Sequence, residues 1–233
     1  MKKIIGITGG VGSGKSTVLE ILKKKYNATI LMADKIGHEA FEKDTETYKM
    51  IVDHFGKEIL NDQEEINHAK LAAIIFKNEK EKEYLNSIIH PFVINRIKQE
   101  IKKWTETYKS TNNDIGSKST KSDKKNSISK GNNQETINLL IIETALMFET
   151  GCDKLCDEVW SVTTDEDIRI SRLMRDRGYS EEKAKAIIAT QLPNEELIRK
   201  SDRSITNNQS VNELKKSIKS TIQSWTQKVT SQS

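Results

Sequence analysis

At 233 residues the chain is long enough for one α/β domain with insertions, able to bury most of its apolar surface without covalent staples. Its 38 basic and 34 acidic residues leave a net charge of +4, mild and mixed, which suits a pocket for anionic small molecules and gives no reason to invoke nucleic acid. The two cysteines, Cys152 and Cys156, exclude a disulfide scaffold and complete no zinc site, so both are expected as reduced thiols.

Met1-Lys2-Lys3 leads straight into the apolar run Ile4-Ile5-Gly6-Ile7-Thr8, so no signal peptide is expected. No apolar run approaches the roughly 18 residues of a spanning helix, so a cytoplasmic chain with no membrane partner is expected. The run reads as a strand over Lys3–Thr8. Behind it stands Gly9-Gly10-Val11-Gly12-Ser13-Gly14-Lys15-Ser16-Thr17, which fits G-x-x-x-x-G-K-[ST] at Gly9, Gly14, Lys15 and Ser16. A helical pattern (Val18, Leu19, Ile21, Leu22) follows from about Lys15 to Lys25, completing the strand–loop–helix setting of a phosphate-binding loop. Glycines let the backbone approach a ligand with no Cβ in the way. Amides then converge on an anion at a helix N-terminus, where the dipole also favours negative charge. Gly9, Gly12, Ser13, Gly14, Lys15, Ser16 and Thr17 are therefore expected to hold a nucleoside triphosphate. Lys15 would reach its β- and γ-phosphates and the Ser16 hydroxyl would ligate Mg²⁺.

A second apolar run, Ala28–Ala33, ends at Asp34, and a helical pattern resumes at Lys35. The order is β-loop-α-β-α, a right-handed parallel unit. Ligands of open parallel sheets sit beyond the carboxyl ends of the strands, where Asp34 and the loop are both expected to stand. From about Glu46 to Trp104 only helices are predicted. Met50, Ile51, His54 and Phe55 share one face and Phe55-Gly56 ends a helix. Asn67 caps a helix carrying Leu71, Ile74, Ile75 and Phe76. His90-Pro91 opens another, with Pro91 at its first position and Phe92, Ile94, Ile97 and Ile101 following. This excursion reads as an inserted helical subdomain of the kind kinases use to enclose an acceptor. Residues 106–136 are dominated by Thr, Lys, Ser, Asn and Asp and read as a disordered surface loop.

The run Ile137–Ile142 ends in Glu143 and reads as a buried parallel strand, with Glu143 a candidate to assist Mg²⁺. After a turn near Gly151 comes a further strand, Glu158–Val162. Arg169, Arg172 and Arg175 then fall three apart on one helix face. Arginine's planar fork suits phosphate oxygens, so these read as a mobile lid over the γ-phosphoryl group. Ser180 starts another helix running to Gln191. Ile205 marks a short strand, and Val211, Leu214, Ile218, Ile222 and Trp225 a closing helix that frays beyond Lys228.

These residues carry a resemblance to the dephospho-coenzyme A kinase family over nearly the whole chain except the polar insertion. The opening Ile5–Thr17, Ala33-Asp34-Lys35, Phe55-Gly56, His90-Pro91 and Leu146-Met147-Phe148-Glu149 resemble its landmarks. Arg172-Leu173-Met174, Gln191, and Ser201-Asp202 with Ile205 and Asn207 are similar to its closing signatures. The chain departs from the family at Ala145, where Pro is usual, at Asn67, where Arg is common, and at Asp176, where a second lid arginine falls. The resemblance implies a P-loop NTPase-type three-layer α/β/α fold with a parallel sheet: core about 1–45 and 137–228, acceptor-side helical subdomain about 46–105, and arginine-bearing lid about 165–190. It implies transfer of the ATP γ-phosphoryl group to the ribose 3′-hydroxyl of dephospho-coenzyme A, with ATP and Mg²⁺ required. Asp34 would be the base that accepts the hydroxyl proton, with Lys15 and Arg172 spreading transition-state charge. The alternative is another small-molecule or nucleoside kinase on the same scaffold. A GTP switch matches D-x-x-G by letters at Asp34–Gly37, but no N-K-x-D guanine reader is present and the match sits too close to the loop.

Overall fold

The computed structural model describes residues 2–113 and 138–230, with side chains described through 107 and through 225. Five strands form one sheet in the order β2-β3-β1-β4-β5: β1 (Lys2–Thr8), β2 (Thr29–Met32), β3 (Asn138–Glu143), β4 (Glu158–Thr163) and β5 (Arg203–Thr206). β1 pairs in parallel with β3 and with β4, and β4 in parallel with β5. Parallel strands buried on both faces need continuous apolar runs, and β3 supplies one: Leu139, Leu140, Ile141 and Ile142 are all buried. Successive side chains point to opposite faces. On one face Ile5, Ile7, Leu139, Ile141, Trp160, Val162 and Ile205 form a core with α1 (Lys15–Tyr26) and α9 (Val211–Thr230), closed by the edge-to-face pair Trp160–Trp225. On the other face Gly6 admits Met147, whose Cε would lie 2.9 Å from a Cβ at that position. Cys152 and Cys156 are free thiols there, and burial pushes Cys156 up to about 12.

The described residues divide into two compact units, 2–31 with 138–230, and 32–113. The second holds α2 (Ala33–Glu39), α3 (Glu46–Phe55), a single 3₁₀ turn at Lys57–Ile59, α4 (His68–Ile75) and α5 (Glu79–Asn113). Ile51, Phe55, Ile59, Ile66, Leu71, Leu85 and Ile88 are its core. His54 is stacked on Tyr84 with ring centroids 3.6 Å apart and meets Glu81 at 2.6 Å. Of the four residues expected to share one face of α3, Ile51 and Phe55 are buried and Met50 is 47% exposed. Asn67 caps α4 as expected: its Oδ1 accepts from the amides of Ala69 and Lys70 at 3.0 and 3.1 Å. Asn67→Ala should cost about 1 kcal/mol, read as a lowered urea midpoint with unchanged slope. An unmoved midpoint would show that the cap carries no weight.

Pro91 does not open a helix. It lies inside α5, which begins at Glu79 behind Asn78, whose Oδ1 accepts from the Lys80 amide at 3.1 Å. An internal proline costs about 3 kcal/mol. Leu85 and Ile88 before it, and Val93 and Ile97 after it, are all buried, so packing on both sides holds the helix together through Pro91. The helix also runs on past Trp104 to Asn113, through the start of the stretch expected as a loop; residues 114–136 of that expectation lie outside the described residues. α9 reaches Thr230, and the rest of the tail expected to fray lies outside the described residues. The remaining helices are α6 (Glu166–Arg177), α7 (Glu181–Ala189) and α8 (Asn194–Lys200). No helix among the described residues is long and apolar enough to cross a membrane.

Candidate active site

The loop Gly9–Gly14 joins the end of β1 to α1. Gly14 sits before the first helical residue at φ +89°, a left-handed conformation that glycine adopts without penalty, and a Cβ there would run into Asn207 Nδ2. Among the described residues, the amides of Gly12, Gly14 and Ser16 meet no protein acceptor, and the buried Ser13 hydroxyl has no partner. Unsatisfied donors at a helix N-terminus form a ready anion site. Lys15 Nζ donates to the Gly9 carbonyl at 2.7 Å and stands 3.9 Å from Glu143 Oε1. Glu143 closes β3 opposite Ile7 in the β1 register and is 5% exposed. Ser16 is exposed and Thr17 half-buried.

The back of the loop is held by residues far away in sequence. Three groups converge on the Ser13 carbonyl: Asn207 Nδ2 at 2.8 Å, Thr164 Oγ1 at 3.0 Å and Arg172 Nη1 at 3.4 Å. Arg172 also donates to the carbonyls of Gly12, at 3.2 Å, and Asn207, at 2.9 Å. Arg169 donates through Nε to the Val11 carbonyl at 2.9 Å and through Nη2 to Gln191 Oε1 at 3.0 Å. The same Gln191 oxygen accepts from the Val11 amide at 2.8 Å. Burial pushes both guanidinium groups below their ordinary range.

The three arginines expected as one row therefore occupy different surroundings. Arg169 and Arg172 are engaged with the loop backbone, whereas Arg175 is exposed and paired with Asp176 at 2.7 Å. Asp176, at the position of the family's second lid arginine, thus carries that pair. The structure brings Gly9, Gly12, Ser13, Gly14, Lys15, Ser16, Thr17 and Arg172 together in the first unit. Asp34 belongs to the second unit, where it is the second residue of α2, exposed and with no side-chain hydrogen bond among the described residues. Nothing in the sequence around Thr164 marks it for this role, and Gln191 and Asn207 stand out there only as family signatures. Their partners in the loop, Val11 and Ser13, are more than a hundred residues away, so no spacing signal marks them.

The donors that a metal ion would find here, the Ser16 hydroxyl and the Glu143 carboxylate, are hard oxygens and fit Mg²⁺. That ion keeps several waters and phosphate oxygens and needs no protein cage. No cluster of three His, Cys, Asp or Glu able to hold a metal occurs among the described residues.

The profile of the dephospho-CoA kinase family matches residues 3–114 and 122–213. A dephospho-CoA kinase of Oceanobacillus iheyensis is 35% identical over 225 residues, covering 97% of this chain and 98% of its own. That of Fusobacterium nucleatum is 35% identical over 215 residues, covering 92% and 94%. Among solved structures, the dephospho-CoA kinase from Campylobacter jejuni matches with a TM-score of 0.63 at 23% identity over 96% of each chain. A Thermus thermophilus protein matches with a TM-score of 0.70 at 23% identity, over 96% of this chain and 97% of its own. The structural matches establish the fold, the end-to-end sequence matches go further, and the chain belongs to the dephospho-CoA kinase family.

Proposed function

We propose that the loop Gly9–Thr17 holds the triphosphate of ATP and that Asp34 serves the acceptor, so that the family's reaction runs on these residues. That reaction moves the ATP γ-phosphoryl group to the ribose 3′-hydroxyl of dephospho-CoA and gives CoA and ADP. The loop amides grip the phosphate oxygens. Lys15 bridges toward the β- and γ-phosphates, and its charge offsets the negative charge that gathers on the transferring group. Arg172 adds a second cation whose position is tied to the loop through the Gly12 and Ser13 carbonyls. A ribose hydroxyl is a weak nucleophile, and Asp34 orients it and accepts its proton. Ser16 would hold Mg²⁺, with Glu143 assisting. When bound, that ion draws charge from the β- and γ-phosphate oxygens.

The observation that carries this reading is the set of unpaired amides at the start of α1 beside Lys15. The exposed carboxylate of Asp34, in the first turn of α2 and without a partner among the described residues, supports its role as base. A cytoplasmic location accords with two free thiols. The test is to incubate the protein with ATP, Mg²⁺ and dephospho-CoA and weigh the product. Dephospho-CoA should gain one phosphoryl group. A panel in which a nucleoside is phosphorylated and dephospho-CoA is not would favour the broader kinase reading.

A further inference from the structure

Arg169 is one of the ten polar or charged residues among those described that are buried, at 3% exposure, and it has no carboxylate within ion-pair distance among them. Glu166, one turn earlier in α6, acts on it only at longer range. Its fork is instead satisfied by neutral oxygens, the Val11 carbonyl and Gln191 Oε1. The guanidinium lies against Gly10, where a Cβ would collide with Nη2 and sit 3.0 Å from Nη1. An arginine used only as a strut is normally buried with its counter-ion, because desolvating a lone cation is costly. Here the charge has no carboxylate in direct contact among the described residues and lies against the Gly10–Val11 backbone of the loop.

We propose that Arg169 is a positioning residue for ATP that also lends the triphosphate site a fixed positive charge, acting through the Gly10–Val11 backbone without touching the nucleotide. This rests on the reading of Gly9–Thr17 as the ATP loop. The field of a buried cation is weakly screened, so an anion on the loop's outer side feels it across one layer of backbone. Gln191 completes the device, because one oxygen fixes both the cation and the Val11 amide.

The test is the ATP dissociation constant, by calorimetry, of wild type, Arg169→Lys and Arg169→Met. Both variants lose the planar fork, but only the lysine keeps the charge. The methionine variant should bind ATP more weakly than the lysine variant by on the order of tenfold. The two agreeing within threefold overturns the charge role. Should Arg169→Met fail to fold, Gln191→Glu decides. It keeps an acceptor for both Val11 and Arg169 while neutralising the charge, and should weaken ATP at least threefold without lowering Tm. Unchanged affinity there overturns the proposal. A wild-type protein that does not bind ATP at all overturns the loop reading, a result distinct from either.

Discussion

Replacing Lys15 with alanine should lower kcat by about 10²–10³-fold or more, since one preorganised donor to developing charge is worth that much in a dry site. Its ammonium already sits within the loop, 2.7 Å from the Gly9 carbonyl. The structure adds a complication that the motif alone does not announce. Lys15 faces Glu143, which is nearly buried, so truncation also removes a cation from beside an enclosed carboxylate. Breaking such a pair from one side destabilises a fold. The single variant should therefore melt earlier as well as turn over slowly. Lys15→Ala combined with Glu143→Gln should recover much of the lost Tm and none of the lost rate. A Lys15→Ala protein with near-normal kcat would remove the lysine from the chemistry.

Asp34→Asn should cut kcat by roughly 10²–10⁴-fold, the worth of a positioned general base, while the ATP dissociation constant stays within a few-fold of wild type. The substitution keeps the size and one acceptor oxygen, and takes away the negative charge together with the capacity to accept a proton. Asp34 also lies in the first turn of α2, where a negative charge is favoured by the helix dipole. That alternative predicts a small loss of stability and no change in rate, so a thermal melt beside the kinetics separates the two. If nucleotide binding collapses instead, the carboxylate serves the metal and the base lies elsewhere.

What could be read from the chain is what is local. The strand–loop–helix at the N-terminus follows from a β-branched run, spaced glycines and a 3.6-residue pattern, all within twenty-five residues. The Asn67 and Ser180 caps are equally local, each side chain meeting an amide two or three residues on. Pro91 misled because its own chemistry favours a helix start. The opposing information, burial of Leu85, Ile88, Val93 and Ile97 on both sides, belongs to tertiary packing. The arginines of α6 misled in a similar way. Their spacing placed them on one face, but what each touches depends on Val11, Gln191 and Asn207, which no window of sequence contains.

The three-way convergence on the Ser13 carbonyl has a consequence for the order of events during synthesis. The segment that would grip nucleotide emerges from the ribosome well before Thr164, Arg172 and Asn207, which set its shape and lie 151, 159 and 194 residues beyond Ser13. An N-terminal fragment that stops before Thr164 carries the whole motif by letter and lacks the donors that hold its backbone in place. Nucleotide therefore cannot guide the early stages of folding here; it can reward only a chain whose final strands have already come home.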